Sequence, residues 1–386
     1  MTTETIPFID LAAQQALIRE RVEAAMKRVL DHGQYIMGPE IAELERQLAE
    51  FCGARHAIAC SNGTDALALC LMAKGVRSGD AIFCPSFTFA ATGEVVAWLG
   101  ATPDFVDIHE DTFHMDVESL KQAITDANKA GHRPAGMIPV DLFGLPADYD
   151  TIEPVAAENG LWMLCDTAQG FGASYKGRVT GSIGEMASTS FFPAKPLGGY
   201  GDGGAVFVED EEIARVIRSM INHGAGTERY DNVRIGMNGR LDSLQAAVLI
   251  EKLAIFPGEI EARSRIAARY NELLGDSLVV PVVPEGLTSV WAQYTVRAPG
   301  QDRSAIVAEL KDRGVPTAIY YPKPMHMQTA YKHYPVAGGA LPVSERLAGE
   351  VFSLPMHPYL EERVQDRIAD AVRQTVSGAV KRAATA

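Results

Sequence analysis

The feature that most limits the possible folds of this chain is a regular alternation of apolar runs and helix-like segments. The seven runs are HAIAC, AIFCPSF, TPDFVDI, GMIPVDLFG, LWMLCD, STSFF and AVFVE, between residues 56 and 209. Most are continuously apolar, which is typical of strands that are covered on both faces. Strands that alternate with helices form mostly parallel sheets with right-handed crossovers. The sequence therefore predicts an α/β fold with a mostly parallel, seven-stranded sheet.

The pattern changes after residue 256, where Pro257 and Gly258 interrupt the helical segments. A long helix, EIEARSRIAARYNELLG, is followed by strand-like WAQYTVRA, helix-like RSAIVAELKDRG and the stretch IYYPKPMHMQ. A chain of 386 residues is long enough for two domains, each with its own core. We therefore predict a large α/β domain over residues 1–256 and a smaller C-terminal α+β domain over residues 257–386.

Composition excludes several classes of function. The net charge is −14 and the pI is near 5.1, whereas nonspecific nucleic-acid binding requires a basic surface. The N-terminal residues lack the charged and apolar regions of a signal peptide, and no apolar run reaches the roughly 18 residues of a membrane span. The five cysteines have no metal-type spacing, so we expect buried thiols in a cytoplasmic protein without a metal site.

The candidate functional residues follow the predicted strands, at the edge of the sheet where parallel α/β folds bind ligands. The turn SNGTDAL lies between a strand and a helix, and it contains Gly63 and Thr64. Free backbone N–H groups at a helix N-terminus, together with hydroxyl donors, form a phosphate site. The alternative is an ordinary helix cap, since Ser, Asn and Thr are common cap residues.

Two ionisable residues at strand ends carry the strongest chemical signal. Asp166 ends the run LWMLCD, where it could pair with a protonated pyridine nitrogen or simply cap the turn DTAQG. Lys195 follows STSFF and lies between Pro193 and Pro196. A buried lysine has a lowered pKa and is a nucleophile suited to Schiff bases, whereas a solvated surface lysine is the ordinary alternative.

Two further residues could complete such a site. Phe89 follows a strand and could stack on a flat ring, although packing in the core would also explain it. Ser190 lies five positions before Lys195 and could contact a phosphate.

The glycine-rich stretch Gly199–Gly204 formally matches the dinucleotide pattern G-x-G-x-x-G. That motif requires a strand before it and a helix after it. Here the strand-like run AVFVE follows instead, so we interpret the stretch as a turn and exclude NAD. A phosphate turn, a stacking aromatic, a strand-end Asp and then a Lys occur together in the order typical of pyridoxal-phosphate enzymes of the aspartate-aminotransferase fold, fold type I.

At this point the chain closely resembles the DegT-type family of nucleotide-sugar aminotransferases. The stretches GQYIMGPE, SNGTDAL, PSFTFAAT, DTAQGFGA, SFFPAKPLGGYGDGGA and GMNGRLDSLQAAVL carry the resemblance. It implies that Lys195 forms the Schiff base with pyridoxal 5'-phosphate, that Asp166 binds the pyridine nitrogen and that Phe89 stacks on the ring. It also assigns roles to five further residues: Gln169 near the ring hydroxyl, Gly63, Thr64 and Ser190 at the phosphate, and Asn238 at the phosphate of a neighbouring subunit.

The resemblance further implies a shared-site homodimer that moves the amino group of L-glutamate to a nucleotide-linked keto-sugar and releases 2-oxoglutarate. Within the family, the chain looks most like enzymes that aminate UDP-2-acetamido-2-deoxy-3-oxo-D-glucuronate for surface polysaccharide or amino-sugar biosynthesis. Arg240 would then lie near the sugar carboxylate. Tyr321 and His326 match a substrate-contacting segment, in which Tyr320 stands where relatives often have His.

Three alternatives stay open on the sequence alone. The substrate could be a 4-keto nucleotide sugar. A pyridoxamine-dependent sugar dehydratase would share the fold, but such relatives typically have His at the position of Lys195. A cofactor-binding regulatory protein without turnover would keep the fold but not need the complete set of catalytic residue types.

Overall fold

Twelve strands appear in the computed structural model, in which residues 5–228 and 230–383 are described. In chain order they are β1 (His56–Cys60), β2 (Asp80–Pro85), β3 (Thr102–Val106), β4 (Arg133–Met137), β5 (Trp162–Asp166), β6 (Ser174–Tyr175), β7 (Arg178–Val179), β8 (Met186–Ser190), β9 (Gly204–Val208), β10 (Leu287–Thr288), β11 (Tyr294–Arg297) and β12 (Val351–Leu354). Seven of them form the central sheet, in the order β1-β9-β8-β5-β4-β2-β3.

The described α-helices alternate with these strands in the first part of the chain. They are α1 (Leu11–His32), α2 (Pro39–Cys52), α3 (Gly63–Ala73), α4 (Ala91–Trp98), α5 (Val117–Lys129), α6 (Tyr149–Asn159), α7 (Glu211–Met220), α8 (Ser243–Leu253), α9 (Phe256–Leu274), α10 (Arg303–Asp312), α11 (Pro342–Glu350) and α12 (Glu362–Ala383). None of the described helices is both long and apolar enough to span a membrane.

The central sheet is mostly parallel, which confirms the predicted fold class. Strands β2, β3, β4, β5 and β8 pair in parallel, and β9 runs antiparallel between β8 and β1. Every residue of β2 and β9 is buried, as expected for strands with both faces covered. Because β1, β2, β5 and β8 run in the same direction, their carboxyl ends meet at one edge of the sheet.

Each of the seven predicted runs overlaps one strand of this sheet. The run GMIPVDLFG overlaps β4 only at its first two residues, since β4 ends at Met137. Pro139 has no N–H group to donate and therefore interrupts the ladder. The chain still follows the sheet beyond that point, because the Ile138 N–H donates to the Phe83 carbonyl and Val140 bridges to Asp166.

The last third of the chain has a separate apolar cluster. Helix α9 packs there with α12 and with the two-stranded sheet of β11 and β12, through Tyr270, Tyr294, Phe352 and Val372. Ile6 from the N-terminal segment joins the same cluster. The domain division after residue 256 stays a prediction, and it falls in the first turn of α9, where Pro257 suits a helix start.

All five cysteines are free and buried, as the sequence analysis predicted. They lie at positions 52, 60, 70, 84 and 165. Burial raises the pKa of each thiol, because the charged thiolate is disfavoured away from water. These cysteines therefore behave as small core residues.

Candidate active site

Asp166 lies at the carboxyl end of β5 and is buried. One carboxylate oxygen accepts a hydrogen bond from the Thr92 hydroxyl at 3.0 Å, and the other accepts from the Ala168 backbone N–H at 3.1 Å. Burial raises the pKa of Asp166, whereas the Ala168 hydrogen bond and the positive charge of Lys195 lower it. A buried carboxylate held by two donors is suited to a cationic partner such as a protonated ring nitrogen.

Lys195 lies in a tight turn that follows β8. Its backbone N–H donates to the Phe192 carbonyl at 2.8 Å, and the Gly199 N–H donates to the Phe191 carbonyl at 2.7 Å, which closes the turn. Burial lowers the pKa of the Lys195 amine, and the charge of Asp166 opposes that shift. A larger neutral fraction makes the amine a better nucleophile and proton acceptor.

The N-terminus of α3 faces Ser190 at the end of β8. A Cβ atom added to Gly63 would lie 2.6 Å from the Ser190 Cβ. Glycine at position 63 therefore allows the backbone of α3 to approach Ser190 closely. The Asn62 side chain caps the helix by accepting from the Asp65 N–H at 2.8 Å. Gly63 and Thr64 contribute the first N–H groups of the helix, which have no partner within it. These groups form a cup suited to a phosphate.

Strand β9 brings the two sides of this cup together. It lies between β1 and β8, and a Cβ atom added to its first residue, Gly204, would lie 2.5 Å from the Asn62 carbonyl oxygen. Gly204 therefore allows the start of α3 to sit directly over the beginning of β9. The close contacts at both glycines explain the shape of the cup.

Aromatic residues border the same edge of the sheet. Phe89 follows β2, and its side chain is 56% exposed, so the structure places it at the rim and not in the core. Gln169 donates from its amide nitrogen to the Tyr321 hydroxyl at 3.1 Å and accepts from the Phe143 N–H at 2.9 Å. Tyr321 also contacts Phe87 edge to face, and Tyr320 is half-buried beside it. Gln169 and Tyr321 thus belong to one connected group.

His326 lies slightly apart from this group. Its Nδ1 is 2.7 Å from the Ser86 hydroxyl, and its Nε2 is 3.2 Å from a Glu345 carboxylate oxygen. Its backbone N–H also donates to the Ser86 hydroxyl at 3.2 Å. Both ring nitrogens are therefore engaged within the chain, which fixes the imidazole beside the end of β2.

Asn238 and Arg240 lie on the segment that leads into α8. The Gly239 carbonyl between them accepts from the Ser61 N–H at 2.9 Å, so the segment runs beside the phosphate cup of its own chain. The Asn238 side chain is exposed. The Arg240 guanidinium donates from Nη1 to the Asn222 side-chain oxygen, while its Nε is buried without a hydrogen-bond partner in the described part of the chain.

Sequence reasoning missed two residues that support Asp166. Thr92 is fully buried, and its hydroxyl is 3.2 Å from that of Thr88, which lies four residues earlier in the bend before α4. Asp141 is also fully buried; its N–H donates to the Asp166 carbonyl at 3.0 Å, and its carboxylate accepts from the Tyr149 hydroxyl at 2.6 Å. Burial raises the pKa of Asp141 to about 7. For Thr92 the sequence offers no signal beyond its four-residue spacing from Thr88, whereas Asp141 lies within the apolar run GMIPVDLFG.

Comparison with known proteins identifies several relatives. The model of the DegT/DnrJ/EryC1/StrS aminotransferase family matches residues 16–373. The chain is 48% identical to the UDP-2-acetamido-2-deoxy-3-oxo-D-glucuronate aminotransferase of Pseudomonas aeruginosa, over 92% of this chain and 96% of that one. It is 39% identical to the UDP-N-acetyl-3-dehydro-alpha-D-glucosamine 3-aminotransferase of Acidithiobacillus ferrooxidans, over 98% of this chain and 100% of that one.

A solved structure is similar over almost its whole length. The crystal structure of a DegT DnrJ EryC1 StrS aminotransferase from Brucella abortus superposes with a TM-score of 0.94 at 52% identity. The match covers 96% of this chain and 99% of that chain.

Proposed function

The chain belongs to the DegT/DnrJ/EryC1/StrS aminotransferase family, and from that premise we propose that it aminates UDP-2-acetamido-2-deoxy-3-oxo-D-glucuronate with L-glutamate as donor. The protein is a transaminase, and its cofactor is pyridoxal 5'-phosphate. The P. aeruginosa relative named for this sugar supports the choice of substrate. We place the reaction in the cytoplasm, in the biosynthesis of a surface polysaccharide or an amino sugar.

The Arg240 guanidinium, whose Nε has no hydrogen-bond partner in the described part of the chain, is the observation that carries the choice of sugar. Asn222 holds one side of the guanidinium, and the buried Nε has no partner in the described part of the chain. An arginine with free N–H groups binds a carboxylate through two parallel hydrogen bonds. A uronic acid supplies such a carboxylate, whereas the corresponding hexosamine does not. Arg240 therefore favours a uronate substrate, and Tyr320, Tyr321 and His326 complete the proposed sugar side.

The groups at the edge of the sheet fit the cofactor. Asp166 would face the ring nitrogen, Gln169 the ring hydroxyl and Phe89 one face of the ring. The cup of Gly63, Thr64 and Ser190, which an added Cβ at residue 63 would fill, suits the phosphate. When bound, pyridoxal 5'-phosphate supplies a carbonyl that joins to amines and a ring that withdraws electrons from them.

The chain's own residues then perform the proton transfers. The Lys195 Nζ, whose pKa is lowered by burial, would accept the proton from the α-carbon of glutamate and hold it for return in the next step. The same amine acts in reverse order when the keto-sugar receives the amino group. The buried Asp166 holds positive charge at the ring nitrogen, and its hydrogen bonds to Thr92 and Ala168 keep it oriented.

We propose a homodimer with shared sites as the active unit. The segment around Asn238 exposes apolar residues, with Val233 54% and Ile235 84% exposed. Exposed apolar side chains close to a candidate site are typical of a protein interface. Packing of this segment against a second copy would bring the exposed Asn238 to the partner's phosphate cup.

A panel of keto-sugars tests the proposed substrate. The purified enzyme should aminate the 3-keto UDP-uronate with a higher kcat/KM than the 3-keto UDP-N-acetylglucosamine or 4-keto UDP- and dTDP-sugars. Arg240→Gln should lower kcat/KM for the uronate about 10- to 100-fold, as expected for a lost charge-assisted hydrogen-bond pair. The same change should have little effect on the 3-keto UDP-N-acetylglucosamine, which serves as the matched control substrate.

If only 4-keto sugars react, the carboxylate argument for Arg240 is wrong and the alternative substrate class replaces it. The donor is tested separately by mixing the purified enzyme with L-glutamate. A fast and complete absorbance change from the pyridoxal to the pyridoxamine form supports glutamate. A protein without turnover, or a dehydratase, would not give that change.

A further inference from the structure

A second lysine, Lys252 on α8, is buried beneath the turn that carries Lys195. Its side chain is 1% exposed, and its ammonium group donates to the Gly198 carbonyl at 2.7 Å. The same nitrogen lies 4.5 Å from the centroid of the Tyr200 ring, within the range of a cation–π contact. Lysine is almost never buried to this degree unless it is paired, so the position requires an explanation.

The rest of α8 holds the same turn. Gln245 accepts from the Tyr200 N–H at 2.9 Å. A Cβ atom added to Gly199 would lie 3.0 Å from the Gln245 Oε1, and one added to Gly201 would lie 2.8 Å from its Nε2. The glycines after Lys195 therefore allow the chain to pass directly over α8.

The opposite end of α8 joins the segment of Asn238 and Arg240. The Ser243 N–H at its start donates to the Tyr35 carbonyl at 2.9 Å, and the Ser243 hydroxyl accepts from the Gly38 N–H at 3.0 Å. Helix α8 is thus fixed at both ends, and it connects the Lys195 turn with the proposed sugar side of the site.

We propose that Lys252 is a positioning residue for Lys195, whose ammonium group ties the catalytic turn to helix α8 through the Gly198 carbonyl and the Tyr200 ring. Gly198 and Lys195 belong to the same closed turn, between the Phe191 carbonyl and the Gly199 N–H. Movement of Gly198 would therefore move Lys195 relative to Asp166. This inference rests on the role proposed above for Lys195.

The electrostatics of the position agree with this role. Burial lowers the pKa of Lys252 to about 8, and the charge of Glu259 opposes that shift. The ammonium form thus persists at neutral pH despite its burial, because a carbonyl and an aromatic face replace part of its hydration. A neutral side chain of similar length would fill the space but would leave the Gly198 carbonyl without this donor.

The substitution Lys252→Met tests the inference through two measurements, the affinity for pyridoxal 5'-phosphate and the visible absorbance spectrum of the bound cofactor. Titration of the apoprotein with pyridoxal 5'-phosphate should give a Kd at least tenfold higher than wild type. The pH midpoint of the cofactor's visible band, which depends on Lys195, should also move. The apoprotein should still unfold in a single cooperative transition, at a modestly lower temperature than wild type, because the buried Gly198 carbonyl loses its donor. Lys74→Met, which removes an ion-paired lysine far from the turn, is the matched control.

The inference is wrong if Lys252→Met leaves both the Kd and the band midpoint unchanged, whether or not the apoprotein loses stability. If Lys252→Met fails to fold, Tyr200→Leu decides, since it removes only the ring beneath the ammonium group and should raise the Kd about threefold. An unchanged Kd in that variant also contradicts the inference. Lys195→Ala is measured in parallel; a retained visible band there would instead refute the role proposed for Lys195.

Discussion

Asp104 on β3 is a buried carboxylic acid without a function in the proposed site. Its side chain is 1% exposed, and both carboxylate oxygens are buried without a hydrogen-bond partner in the described part of the chain. Burial, with a smaller effect from the charge of Asp126, raises the pKa of Asp104 from 3.8 to about 7. An uncharged acid avoids the cost of an unpaired buried charge, so the folded protein retains this proton at moderately acidic pH.

This residue predicts a pH dependence of stability. The pKa of Asp104 is higher in the folded protein than in the unfolded chain. The contribution of Asp104 to the free energy of unfolding is therefore most favourable below pH 3.8 and is lost as the pH rises towards 7. Each pH unit within that window changes the free energy of unfolding by about 1.4 kcal/mol. The side chain at position 104 cannot titrate in Asp104→Asn. The free energy of unfolding of this variant, relative to that of wild type, should therefore increase by about 2–3 kcal/mol between pH 5 and pH 8. Urea unfolding at both pH values measures it.

Asp312→Asn, at the exposed end of α10, is the matched control, because it makes the same substitution at a solvent-exposed carboxylate. A constant difference between wild type and Asp104→Asn would show that Asp104 does not hold the proton.

At this scale the sequence identified the residues that follow strands, but not those that support them. Asp166 and Lys195 stand out because each follows an apolar run, and the structure indeed places them within electrostatic reach of each other. Thr92 could not be found in the same way, since a threonine in a helix has many ordinary explanations. Its contact with Asp166 depends on how α4 packs over β5, which local patterns do not encode.

At the scale of elements, the first turn of α3 depends on residue 63 being glycine. Gly63→Ala would place a Cβ atom 2.6 Å from the Ser190 Cβ, so helix and strand would have to separate. Alanine is the better helix former by about 1 kcal/mol, so the helix itself should not suffer. We therefore expect the affinity for pyridoxal 5'-phosphate to fall tenfold or more, measured by titration of the apoprotein, while far-UV circular dichroism stays unchanged.

Gly258→Ala provides the control for this substitution. Gly258 also lies in a helix, but an added Cβ would meet no atom within 4 Å. This variant should bind the cofactor as wild type does. Wild-type affinity in Gly63→Ala would mean that the close approach to Ser190 does not shape the phosphate cup.

The bounds of the strands were predicted well where the apolar run is continuous, and less well where a proline interrupts the run. Pro139 is an example, because a single missing N–H group ends β4 before the apolar run ends. The order of the strands could not be derived either. The turn at Gly199–Gly204 agrees with the antiparallel pairing of β8 and β9, but the sequence contains no local sign that β1 is the other neighbour of β9.

At the scale of the whole molecule, the proposed shared site predicts complementation between two inactive variants. Lys195→Ala and Asn238→Ala should each show little activity alone. A heterodimer of the two would contain one site with both wild-type residues, if Asn238 acts on the partner. Random mixing of equal amounts should then restore about a quarter of the wild-type rate, because half of the dimers carry one intact site each.

The decisive measurement compares the rate of the mixture with the rates of Lys195→Ala and Asn238→Ala measured separately. If Asn238 acts within its own chain, every site in the mixture lacks one residue, and the rate should not exceed the average of the two variants. Mixing Lys195→Ala with Asp166→Ala is the control, since both residues lie in the same site and no intact site can form.

The position of β9 has a consequence for the chain while it is being synthesised. Until β9 leaves the ribosome, β1 and β8 each lack their shared neighbour, so the backbone groups along one edge of each strand have no final partner. Strands β1 and β9 lie far apart in sequence, and their pairing is slow because a long loop must close first. The phosphate cup is therefore assembled late, and capture of the cofactor by a nascent chain would mark the moment at which its sheet is complete.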